Sequence, residues 1–100
     1  VHLRSTTNKV LLAANAEGDN LAAKVYLINK SDDASLYVTV TINAQTIGKL
    51  YGGDFMFIPW SQTDTSASIE VAATNWTSST GDIPVEYALF HEDTDYLTNA

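Results

Sequence analysis

Apolar and polar residues alternate strictly from Leu36 to Asn43. Leu36, Val38, Val40 and Ile42 share one side, and Tyr37, Thr39, Thr41 and Asn43 share the other. A period of two with β-branched residues on the apolar side predicts a half-buried strand. The pattern recurs at Ala67, Ile69, Val71 and Ala73 against Ser68, Glu70, Ala72 and Thr74. It recurs again at Val85, Tyr87 and Leu89 against Glu86, Ala88 and Phe90. Lys24 to Asn29 and Asp54 to Ile58 are apolar on both sides, so they predict central strands or strands with one face under a partner. Shorter candidates are Leu3–Thr6, Lys9–Ala13 and Thr46–Tyr51. Val10 to Glu17 is rich in Ala and Leu, which favour helix. It lacks a good N-cap and runs into Gly18-Asp19, so a strand followed by a loop is predicted.

Turn chemistry separates these runs at Glu17–Asn20, Asn29–Asp33, Gly52–Asp54, Ser61–Asp64 and Ser78–Asp82. Strands therefore recur every ~8–15 residues, the spacing of a sandwich or barrel. The fold class expected is all-β: a two-sheet antiparallel sandwich of roughly seven or eight strands, Ig-like or jelly-roll. The 100 residues are expected to form one domain. Residues 1–20 are a candidate N-terminal arm, and the acidic tail 93–100 is expected to fray.

Composition narrows the function classes. Apolar residues make up 45% and charged residues 17%, too apolar for disorder. There is no cysteine, hence no disulfide framework, thiolate metal site or cysteine nucleophile. The net charge is −7, and the five basic residues, Arg4, Lys9, Lys24, Lys30 and Lys49, are scattered. No basic stripe can displace counterions from a phosphate backbone, so neither nucleic acid nor an anionic membrane is an expected partner. No run approaches the ~20 apolar residues of a membrane span, and Val1–Arg4, followed by a short polar stretch, is not expected to open a signal peptide.

Catalytic constellations are sparse. His2 and His91 are the histidines, and no nucleophile-elbow motif accompanies them. Asp54, Glu70, Asp82 and Glu86 could form a carboxylate pair for glycoside cleavage, but a chain this small leaves little material for a cleft. Oxygen ligands for calcium are available in Glu17–Asn20, Asp32-Asp33 and Glu92–Asp95, without EF-hand spacing; turn acids more often cap backbone amides. Tyr51, Trp60 and Trp76 lie near loops, where rings can stack on sugars or anchor a protein contact. Asn29-Lys30-Ser31 and Asn75-Trp76-Thr77 match the glycosylation sequon. No enzymatic activity and no cofactor are expected.

Gly52–Trp60 is the most informative segment. Two glycines allow a tight turn into a strand, five large apolar residues follow on both faces, and Pro59 ends the ladder. One face can fill the core. The other is expected to lie under a neighbouring subunit or under a loop of the same chain.

Four segments in this order, Lys24–Ser31, Gly52–Trp60, Ile69–Thr74 and Val85–Glu92, resemble small structural proteins of tailed-bacteriophage virions. The resemblance is to the decoration or cement type and spans about two-thirds of the chain. It implies a β-sandwich located on the virion and held by contacts with other virion proteins, the major capsid protein foremost, or with further copies of itself. No catalytic residue belongs to that pattern. The contact residues expected on this reading are Tyr51, Phe57, Trp60 and Trp76. Two alternatives stand beside it: a carbohydrate- or receptor-binding module using Trp60 and Trp76, and a secreted β-domain with structural calcium.

Overall fold

The computed structural model describes residues 1–13, 23–61 and 67–91. These form β1 (His2–Leu3), β2 (Lys9–Ala13), β3 (Ala23–Asn29), β4 (Tyr37–Ile42), β5 (Gln45–Tyr51), β6 (Phe55–Pro59), β7 (Ser68–Ala72) and β8 (Ile83–His91). One four-stranded sheet has the order β1-β8-β3-β6, and the other has the order β2-β7-β4-β5. All pairings are antiparallel.

The order settles the topology. Each strand pairs with its counterpart from the other end of the chain: β1 with β8, β2 with β7, β3 with β6, and β4 with β5. Rolling that long ribbon so that β8 meets β3 and β7 meets β4 closes two sheets face to face. This is a jelly roll; the seven-stranded immunoglobulin order is not formed. The expected sandwich is present, and its strands match the alternating runs.

Two expectations change in detail. β6 is an edge strand, although its sequence is apolar on both sides like that of central β3. The first residues belong to the body: β1 edges one sheet, β2 edges the other, and Leu3 is buried in the core. Residues 14–20 of the supposed arm and the tail 93–100 lie outside the described residues.

The core is a sheet-to-sheet layer. Leu27, Ile83 and Val85 pack against Val38, Val40 and Val71. A second cluster joins Val25, Trp60, Ala67 and Ile69, and Leu11 and Ile42 touch both clusters. The register of β2 jumps between Val10↔Glu70 and Leu12↔Ile69, so Leu11 is an inserted residue. That bulge is why Leu11 and Leu12, adjacent in sequence, both pack on the core.

Two asparagines tie the layers together. Asn29 is fully buried. Its Nδ2 donates to the carbonyls of Leu36 (3.0 Å) and Leu50 (2.9 Å), and its Oδ1 accepts from the Ser31 amide at 2.9 Å. One side chain thus links the end of β3 to the opposite sheet, with its polar atoms satisfied. Asn43 Oδ1 accepts from Trp60 Nε1 and from the Ser68 amide, each at 3.0 Å. Asn43 and Ala44 have φ of 50° and 68° and form the two-residue turn between β4 and β5. Positive φ at both positions matches the strand twist and suits Asn; Ala pays a steric cost there.

The Gly52-Gly53 pair does two different jobs. Gly53 sits at φ 92°, as a tight turn requires. Gly52 permits a close approach: a Cβ there would run into the carbonyl oxygens of Asp33 and Ser31.

Candidate functional site

In β3 the odd-numbered residues Val25, Leu27 and Asn29 face the core, so Lys24, Tyr26 and Ile28 point outward. The register then defines the outer surface of this sheet row by row. Lys24 lies between Pro59 and Phe90, Tyr26 between Phe57 and Ala88, and Ile28 between Phe55 and Glu86. Seven of these nine side chains are apolar or aromatic, and the only charges are one lysine and one glutamate.

The rings are organised as well as exposed. Tyr26 and Phe55 have centroids 6.1 Å apart, and Phe57 and Phe90 are 5.8 Å apart. Both separations fall within the range of attractive aromatic pairs. Even so, Phe55, Phe57 and Phe90 keep 64%, 51% and 53% of their surface in solvent. At ~200 Å² per ring, these three alone present about 340 Å² of contiguous apolar surface. The largest apolar patch of a typical monomer covers about 300–600 Å² and is often functional.

The four contact residues expected from sequence do not converge. Phe57 sits at the centre of the aromatic face. Tyr51 is 41% exposed but belongs to the outer face of the other sheet, where its ring lies 5.2 Å from that of Tyr37. Lys49 Nζ lies 4.5 Å above the Tyr37 ring, a cation–π contact on that second face. Trp60 is only 4% exposed. It is a core residue held by the Asn43 side chain and is corrected here from a surface anchor to a packing residue. Trp76 is half-buried against the main core cluster, and its Nε1 finds no acceptor among the described residues.

Tyr26, Ile28, Phe55 and Phe90 were not singled out as contact residues. The signal lay in the two runs apolar on both sides: with one parity given to the core, the other parity spells this face.

The four carboxylates considered as a catalytic pair, Asp54, Glu70, Asp82 and Glu86, lie apart. Glu70 and Glu86 point from opposite outer faces. Asp54 accepts from the Tyr51 amide at 3.0 Å, and Asp82 pairs with Arg4 at 3.0 Å. His2 Nδ1 lies 3.9 Å from Asp82, and both groups reach solvent. His91 ends β8 opposite Ala23.

Asp33 accepts from the Ser35 hydroxyl (2.6 Å) and amide (2.9 Å), which hold its carboxyl below the ordinary carboxylate range. Among the described residues, no three His, Asp or Glu side chains gather to hold a metal ion. The acidic stretches Glu17–Asn20 and Glu92–Asp95 lie outside the described residues.

Both sequon asparagines are engaged: Asn29 is buried, and Asn75 donates to the Ser35 carbonyl at 3.0 Å. An open recess of about 210 Å³ lies between β5 and β6, lined by Val40, Ile47, Gly48, Lys49, Leu50 and Met56. Its single titratable group, Lys49, offers no acid–base pair.

Comparison with protein-family models, curated proteins and solved structures returns no match to this chain.

Proposed function

We propose that this chain is a non-enzymatic structural protein that works by adhering to other proteins through the outer face of the β1-β8-β3-β6 sheet. The observation that carries the reading is the aromatic group Phe55, Phe57 and Phe90, each more than half exposed, with half-buried Tyr26 on one sheet face; Val10 and Ile47, equally exposed, lie on the other sheet. A standard contact covers ~800 Å² per partner, about one-seventh of the 5833 Å² surface. The aromatic face would form its centre, where binding energy concentrates.

The setting proposed is a tailed-phage virion, with the chain as a decoration or cement protein on the capsid and with the major capsid protein and further copies of itself as partners. That setting rests on the resemblance of the four segments. Jelly rolls serve in capsids and also in lectins, so the fold itself does not choose between them. Against the sugar-binding alternative, Trp60 is in the core and the aromatic face carries few groups that could bond to sugar hydroxyls.

The test is composition. Particles purified from a lysate containing this chain should hold it at a fixed copy number relative to the major capsid protein, measured by quantitative mass spectrometry. Recovery only in the unassembled fraction would overturn the virion setting.

A further inference from the structure

We infer that the partner on the aromatic face is a second copy of this chain, docked face to face about a two-fold axis that crosses the strands. The inference rests on the adhesive reading of that face and adds its occupant and register.

Charge placement carries the argument. The whole chain bears −7, yet the face carries one positive and one negative side chain, Lys24 and Glu86. It is therefore a surface on which two copies of an acidic chain can meet without like charges opposed. Both side chains are exposed, and neither is in an ion pair with another described residue.

Their positions select the symmetry. Lys24 lies on β3 in the first of three rows, and Glu86 lies on the neighbouring strand β8 in the third. An axis across the strands, through the row Phe57–Tyr26–Ala88, turns the first row of one copy over the third row of the other. Lys24 then falls one strand spacing, ~4.8 Å in projection, from Glu86 of the second copy. Across sheets ~10 Å apart, two such side chains bridge the gap, and the symmetry makes the pair twice.

The competing axis, along β3, sets Lys24 against its own copy and Glu86 against Phe55, so it is disfavoured. In the chosen register Tyr26 and Phe57 lie over their own counterparts, and the apolar centre of the contact is continuous.

Sedimentation equilibrium over a wide protein range tests this. The native chain should pass from monomer to dimer with rising concentration, and Phe57→Ser with Phe90→Ser should stay monomeric. Lys24→Glu and Glu86→Lys should each weaken the dimer at least tenfold, and the double exchange, K24E with E86K, should restore it. All four positions are solvent-exposed, and an unchanged circular-dichroism spectrum confirms the fold.

A native chain that stays monomeric throughout would overturn self-association, while incorporation into particles reports separately on the adhesive reading. A dimer insensitive to Phe57 and Phe90 would overturn the face. A dimer not restored by the charge exchange would overturn the register.

Discussion

Phe57 on β6 and Phe90 on β8 meet with ring centroids 5.8 Å apart, although β3 runs between their strands. Neighbouring strands are ~4.8 Å apart, so rings two strands away touch only by leaning over the intervening strand. The pair forms a lid over β3 while half of each ring still faces solvent. Phe57→Ala and Phe90→Ala should each cost about 1 kcal/mol of folding stability. A double-mutant cycle by urea denaturation should show a coupling of about 0.5–1.5 kcal/mol. Strict additivity would mean that the rings do not interact.

Asn29 should be the most costly polar position to truncate. Asn29→Ala leaves the carbonyls of Leu36 and Leu50 without their donor and opens a hole where the sheets join. Each orphaned buried group costs ~1–3 kcal/mol, so a loss of about 3 kcal/mol is expected in chemical denaturation. A loss under ~1 kcal/mol would show that water replaces the amide.

The β4–β5 turn yields two substitutions of opposite sign. Ala44 stands at φ 68°, where a side chain costs ~1–2 kcal/mol. Ala44→Gly should raise stability by about 0.5–1 kcal/mol after allowing for the freer unfolded chain. Asn43→Gly keeps the backbone conformation but removes the acceptor for Trp60 and Ser68, and it should cost about 2 kcal/mol. Thermal melts followed at the tryptophan signal measure both.

Gly52→Ala should destabilise by ~1–3 kcal/mol, because the added methyl meets backbone carbonyls that cannot rotate away. Gly53→Ala should also be unfavourable, through φ alone, since the space around it is open. Combining them shows whether one turn distortion relieves both.

Asp33 gives the pH dependence a direction. Its bonds to Ser35 depress the folded-state pKa. Its contribution is therefore full above the unfolded value of about 3.9 and fades as pH falls through the lower folded value. Asp33→Asn should lower the melting temperature slightly at neutral pH and flatten that part of the acid profile, so that the two chains converge as pH falls below the folded value.

The strands were legible because burial imposes a period of two, and Leu36 to Asn43 carries that period without interruption. The bulge at Leu11 was not legible, since an inserted residue leaves no mark in Val10-Leu11-Leu12. The hairpin turn at Asn43-Ala44 escaped notice because turn rules look for Gly after Asn. Trp60 misled because position next to a loop says nothing about direction: its amide bonds to the Ala23 carbonyl and its ring turns into the core. The aromatic face was half visible. Phe57 was legible from the parity of one strand, but joining it to Tyr26 and Phe90 needs the register between strands distant in sequence, which only the fold supplies.

The most direct test of the adhesive account is the copy number of Phe57→Ser/Phe90→Ser on purified particles, beside the native chain in the same preparation. Melting curves first establish that the variant is folded. The account predicts that the native chain is retained at a fixed number per particle and that the folded variant is lost. Equal retention of both would contradict it.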